Sequence, residues 1–161
     1  MLDLFAGSGA IGLECLSRGA KKAILCDKSK EAVEIIKRNI EKTHMEDKAQ
    51  VFNTDFETCL EKVKNQQFDI IYLDPPYFHT KGRYFWTINF ERFLNYLEDL
   101  NKRNINYILS FDGLRGEANY TVNIPKDLYK RHELLQSGNS TFKKVIGKET
   151  EKVFESLYMN F

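Results

Sequence analysis

The first half of the chain alternates short apolar runs with helical patterns, and this rhythm constrains the fold more than any other feature. Residues 1–5, 22–27, 50–55 and 68–74 read as strands, separated by helices over 10–18, 30–42 and 56–64. Strands joined through a helix run parallel, because the crossover brings the chain back to the same end of the sheet. In the second helix Ala32, Val33, Ile35, Ile36 and Ile40 share one face while Lys30, Glu34, Lys37, Arg38 and Glu41 take the other, a stripe suited to covering a sheet. The run 68–73 lacks alternation, as a central strand buried on both faces should, and it stops at Pro75-Pro76.

Beyond the prolines, Asn89 is placed to cap a helix that carries Phe90, Phe93, Leu94, Leu97 and Leu100. Residues 106–111 read as a fifth parallel strand, 112–125 as a loop, and 128–135 with 153–160 as a long antiparallel hairpin. The expected fold class is α/β, a doubly wound, Rossmann-like, mostly parallel sheet with a terminal antiparallel hairpin. At 161 residues with 42% hydrophobic and 29% charged side chains, one folded domain over 1–161 is expected.

Charge and cysteine usage narrow the partners. The net charge is +1, so no global field draws the chain to a polyanion. Residues 1–77 hold 11 basic and 13 acidic side chains and residues 78–161 hold 13 and 10, leaving a small positive excess in the second half. Cys15, Cys26 and Cys59 are odd in number and form no C-x-x-C pair, which argues against a disulfide scaffold and a structural zinc. No apolar run has the length of a spanning helix and no start resembles a signal peptide. A cytoplasmic protein with no membrane partner is expected.

Residues 4–12 contain G-x-G-x-x-G between a strand and a helix, and Asp27 ends the next strand 20 positions after Gly7. Glycines there permit a tight turn and close approach to a ligand, and the carboxylate can accept from both ribose hydroxyls of a nucleoside cofactor. A dinucleotide would bring its pyrophosphate to the helix start. An acid in the first strand, Asp3, repels phosphate and suits a cationic amino-acid group, favouring S-adenosylmethionine over NAD. A third acid, Asp55, followed by Phe56, can hold an adenine by its amino group and its face. The candidate cofactor residues are therefore Asp3, Phe5, Ala6, Gly7, Ser8, Gly9, Asp27, Lys28, Asp55 and Phe56. Any one of these acids could equally be a helix cap; the three in register with the glycine turn make the stronger pattern.

The tetrapeptide Asp74-Pro75-Pro76-Tyr77 is the most specific signal. Two prolines fix φ and remove two backbone donors, leaving carbonyls free to accept. A planar exocyclic amine is a poor nucleophile until both N–H bonds are engaged, here by Asp74 and the Pro75 carbonyl, while Tyr77 stacks on a base drawn out of its helix. Lys81, Arg83, Tyr84 and Trp86 follow at once and mix cations for phosphate with rings for bases. Packing of these rings beneath the loop is the plainer reading of the same residues. His79 reads as a bystander, and Cys15 and Cys26 as core.

Residues 3–9 together with 74–77 resemble the paired signatures of S-adenosylmethionine-dependent amino-methyltransferases acting on nucleic acid bases. The first half, above all residues 4–20, resembles ribosomal RNA guanine-N2 methyltransferases of the RsmD type. The second half, through residues 108–113, 128–131 and 155–158, is similar to adenine-N6 DNA methyltransferases of the Dam-like, restriction–modification class. With the tail given more weight, the resemblance implies methyl transfer to adenine N6 in DNA, with ribosomal RNA as the alternative substrate and no metal required. The adenine enzymes usually carry a segment before the glycine motif and a target-recognition domain before the tetrapeptide. Neither is evident here, which implies a truncated or split enzyme, or a non-catalytic subunit that needs a partner.

Overall fold

A computed structural model describes residues 1–76, 88–139 and 152–161. These form two compact units, Met1–Asp74 with Ile105–Tyr107, and Pro75–Asn104 with Ile108–Phe161. The expected α/β architecture is present, with parallel strands first and antiparallel strands at the end.

The first unit contains β1 (Leu2–Asp3), α1 (Ala10–Ser17), β2 (Ala23–Asp27), α2 (Lys30–Thr43), β3 (Ala49–Asn53), α3 (Phe56–Val63) and β4 (Ile71–Leu73). Its strands lie in the order β3-β2-β1-β4. All three pairings are parallel, with Ala23 beside Ala49, Leu2 beside Ile24 and Leu2 beside Ile71. β2 is buried from Ala23 to Cys26 because its run is apolar without alternation. Ser29 caps α2 by accepting from the Ala32 amide at 3.2 Å, and His44 ends it in the left-handed region at φ 55°. The stripe of α2 is narrower than the sequence implies. Val33, Ile36 and Ile40 are buried, whereas Ile35, expected on the same face, is 45% exposed, since it lies one residue off the i, i+3, i+7 row.

Helix α1 sits unusually close to β2. A Cβ built on Gly12 would lie 2.1 Å from Cδ2 of Leu25, a side chain with no exposed surface. Leu13, Leu16, Leu25, Ile36 and Ile40 close the core around this contact.

The second unit contains α4 (Phe90–Lys102), most of β5 (Tyr107–Arg115), β6 (Ala118–Asn119), β7 (Arg131–Asn139) and β8 (Lys152–Met159). Asn89 caps α4 as expected, accepting from the Arg92 amide at 3.0 Å, and Phe93, Leu97 and Leu100 are buried. β8 pairs antiparallel with both β5 and β7, which realises the expected closing hairpin. The loop expected over 112–125 is only partly a loop, because β5 runs on to Arg115 and turns through Gly116 into β6. Gly113 allows the extension: a Cβ there would lie 2.6 Å from the Phe154 carbonyl oxygen, and the β5–β8 register slips between Asp112 and Arg115 as in a bulge. No helix among the described residues is long and apolar enough to cross a membrane.

Candidate functional site

Strand order reverses at β1. The chain moves outward through β2 and β3, then returns to place β4 on the other side of β1. At such a switch point the connections leave in opposite directions and open a crevice beyond the carboxyl ends of the two strands. Asp3 ends β1 and Asp74 follows β4, so two of the expected site acids fall at this place in the first unit.

The glycine turn lies between β1 and α1. Gly7 and Gly9 have φ of 55° and 79°, values that side chains other than glycine rarely adopt. The Gly9 amide donates to the Ala6 carbonyl at 2.6 Å, and the Ala6 amide donates to the Cys26 carbonyl at 2.9 Å, tying the turn to β2. Gly7 donates its amide to Oδ2 of Asp27 at 2.8 Å, while Oδ1 of Asp27 accepts from the Ser29 amide at 2.8 Å. Each carboxylate oxygen keeps a further lone pair for a ligand hydroxyl. Asn53 donates through Nδ2 to the carbonyls of Asp27 and Lys28, both at 3.0 Å, and holds the end of β2 in place.

Asp3 is 1% exposed and its Oδ1 has no hydrogen-bond partner. Burial pushes its carboxyl up to about 7, Asp74 and Asp27 add to the rise, and the Phe5 amide bond opposes it. Asp3, Asp27 and Asp74 are near enough to interact, which makes this end of the first unit acidic. That donor set repels a pyrophosphate and suits a ligand with ammonium and sulfonium charges, so the residues present fit S-adenosylmethionine. Asp3 is buried rather than an open surface group.

Asp55 does what its residue type does most often: it caps α3. Oδ1 accepts from the Thr58 amide at 2.8 Å and Oδ2 from the Thr58 hydroxyl at 3.1 Å, and these bonds hold the carboxyl below the usual carboxylate range. Phe56, the first residue of α3, meets Phe5 with ring centroids 5.5 Å apart at 37°. The structure thus brings Asp3, Phe5, Ala6, Gly7, Ser8, Gly9, Asp27, Lys28, Asp55, Phe56 and Asp74 into one unit. Pro75, which is buried, and Pro76, half-buried, begin the second unit. Tyr77, His79, Lys81, Arg83, Tyr84, Phe85 and Trp86 lie outside the described residues. Cys26 is core as expected, and Cys15 is only half-buried. No group of metal-ligating side chains occurs among the described residues.

Sequence reasoning missed Asn39 and Asn53, two amide side chains that reach backbone carbonyls of the site from α2 and β3. The available signal was an asparagine inside a helix, where its propensity is poor.

Fold and acidic glycine turn together define the class: this is the fold of the S-adenosylmethionine-dependent methyltransferases. The structure of the SAM-dependent methyltransferase from Agrobacterium tumefaciens matches 99% of this chain and 55% of its own length, with a TM-score of 0.64 at 16% identity. Within that class the chain belongs to the Cons_hypoth95 family, described as Conserved hypothetical protein 95, whose model matches residues 1–99. The ribosomal RNA small subunit methyltransferase D of Buchnera aphidicola (subsp. Acyrthosiphon pisum) is 32% identical over 132 residues, covering 81% of this chain and 63% of that protein. Its namesake from Haemophilus influenzae is 38% identical over 78 residues, covering 47% of this chain and 40% of that protein. The chain therefore spans less than two thirds of the length of these relatives. Both are named for ribosomal RNA, so the weight given to adenine-N6 DNA methylation from the tail is not supported, and the resemblance carried by residues 4–20 is the better guide.

Proposed function

We propose that this chain transfers a methyl group from S-adenosylmethionine to the exocyclic N2 amine of a guanine in ribosomal RNA, acting in the cytoplasm with residues 1–161 as its catalytic domain. The observation that carries the reading is the similarity to ribosomal RNA small subunit methyltransferases D, over 132 residues in one case. When bound, the cofactor supplies an electrophilic methyl on a sulfonium, which leaves as a neutral thioether and needs no metal.

The chain's own groups do the rest. Asp27 accepts from the ribose hydroxyls with the lone pairs left over from Gly7 and Ser29. Phe5 and Phe56 offer ring surface to the adenine, beside Asp55 and Lys28. The negative field of Asp3 favours the positive amino-acid end over the neutral or anionic look-alikes of the cofactor. Asp74 and the Pro75 carbonyl accept the two N–H bonds of the guanine amine. This aims its lone pair at the methyl and gives the departing proton an acceptor. Pro76 stiffens the tetrapeptide, Tyr77 stacks on the base, and Lys81, Arg83, Tyr84 and Trp86 meet the flanking phosphates and bases.

Labelled methyl transfer to ribosomal RNA and to unmethylated DNA, run in parallel and followed by nucleoside digestion, tests the reading. N2-methylguanosine from RNA is expected. N6-methyladenine from DNA would restore the reading drawn from the tail, and transfer to neither would favour a subunit that waits for a partner.

A further inference from the structure

The Ser8–Gly9 peptide is pinned in two opposite directions. Its N–H donates to the Ala6 carbonyl at 2.6 Å, and its C=O accepts from Nδ2 of Asn39 at 2.9 Å. In a trans peptide these two groups lie in one plane and point in opposite directions, so the two bonds together fix the orientation of that plane. The fixing matters because the peptide turns about φ of Gly9, which is in the left-handed region as is Gly7 before Ser8, and a glycine lacks the Cβ that restricts such rotation in an ordinary residue. The Ala6 bond is local and forms in any tight turn. The Asn39 bond spans 31 residues and comes from a helix whose neighbouring Ile36 and Ile40 are anchored in the core.

Asparagine is a weaker helix former than lysine or leucine in a helix interior, and this one directs its amide outside its own helix. We infer that Asn39 is a positioning residue for the cofactor turn: by holding the Ser8 carbonyl toward α2 it keeps that carbonyl out of the ligand's space and fixes the Gly7 amide in register with Asp27. The inference rests on the proposed cofactor reading, and its mark is in binding rather than in fold.

Three variants separate the possibilities. Asn39→Ala removes the donor. Asn39→Asp keeps the shape but sets a carboxylate against a carbonyl oxygen, and Asn39→Gln keeps the amide one methylene further out. S-adenosylmethionine binding measured by calorimetry should weaken about fivefold in Asn39→Ala, the ratio for one ordinary hydrogen bond. It should weaken further in Asn39→Asp and recover in part in Asn39→Gln, with thermal midpoints close to the parent and to a Lys37→Ala control on the exposed face of the same helix. KM for the cofactor should rise while kcat at saturation stays within about twofold, as for lost uniform binding. Independently of any ligand, amide exchange at Gly9 should quicken in Asn39→Ala. Equal cofactor affinity in Asn39→Asp and the parent would overturn the inference. If the parent itself does not bind the cofactor, the proposed function fails, and Gly9 exchange still decides: unchanged exchange overturns the role of Asn39, and faster exchange upholds its hold on the turn. Should Asn39→Asp fail to fold, the alanine and glutamine variants carry the comparison.

Discussion

Asp3 makes this protein less stable as pH rises from about 4 to about 7, and Asp3→Asn should remove that loss. The carboxyl is 1% exposed, one of its oxygens has no partner, and burial lifts it from 3.8 to about 7 in the folded chain. Between those two values the folded state holds a proton that the unfolded state has released, so stability falls with increasing pH. Each pH unit in that window is worth about 1.4 kcal/mol. From pH 5 to pH 8 the slope saturates near the folded value, and integration gives a loss of roughly 3 kcal/mol for the parent. Other titrating groups are common to both chains and cancel in the difference. Urea unfolding followed by circular dichroism, at pH 5 and pH 8, should show the gap between Asp3→Asn and parent moving in the variant's favour by that amount. A gap that stays constant within about half a kcal/mol, comparable to the error of the extrapolation, would refute the argument, since it would mean that Asp3 has the same charge folded and unfolded across the range. If the proposed cofactor role of Asp3 holds, the stabilised variant should at the same time bind S-adenosylmethionine less well in calorimetry.

Gly12→Ala forces a methyl into the side chain of Leu25, 2.1 Å from the ideal Cβ position, and should cost about 1–3 kcal/mol in urea unfolding; an unchanged midpoint would show that α1 can lift from β2. Asp55→Ala removes the cap of α3 and should destabilise by about 1 kcal/mol at neutral pH. Its carboxyl lies below the ordinary value of 3.8, so the parent's advantage should hold above that pH and fade as pH falls through the folded value, which unfolding at pH 7 and pH 2.5 will read. Asp74→Ala should lower methyl transfer by about a hundredfold or more while cofactor binding by calorimetry survives; joint loss of both would make Asp74 a structural residue.

The parallel half of the fold was legible because its signals are local. Apolar runs, an amphipathic helix and a glycine turn each speak within a dozen residues, and Asn89 marks its helix by the chemistry of a cap. Asp55 illustrates the limit: in sequence the same carboxylate suits an adenine contact and a helix cap alike, and the structure has it capping α3 through Thr58. Where partners are distant, the sequence was mute. Nothing near Gly113 announces that β5 continues, because the reason is the approach of the Phe154 carbonyl some forty residues away. Asn39 and Ser8 are separated in the same manner. Ile35 failed for a geometric reason, since a face estimated by hydrophobicity is wider than the row that actually reaches the sheet.

The resemblance of the tail to adenine enzymes has a reason visible in β5 and β8. The stretches that resembled adenine enzymes, 108–113 and 155–158, lie against each other as antiparallel partners, with Ser110 beside Leu157, Phe111 beside Ser156 and Asp112 beside Glu155. Leu109, Ser110, Phe111, Ser156 and Tyr158 are buried, and Phe111 packs edge-on against Phe93 of α4. Residue choice at those positions answers to cross-strand packing, which any enzyme closing its sheet in this way must solve, whatever base it methylates. The tetrapeptide is neutral on the same question. Adenine N6 and guanine N2 are both planar exocyclic amines with two N–H bonds, so under the proposed roles of residues 74–75 a carboxylate and a carbonyl would serve either one. Discrimination between them has to come from groups that read the ring edge and the backbone of the substrate. Lys81, Arg83, Tyr84 and Trp86, next along the chain from the tetrapeptide, are the first positions at which exchange of side chains should change the choice of base without changing the chemistry.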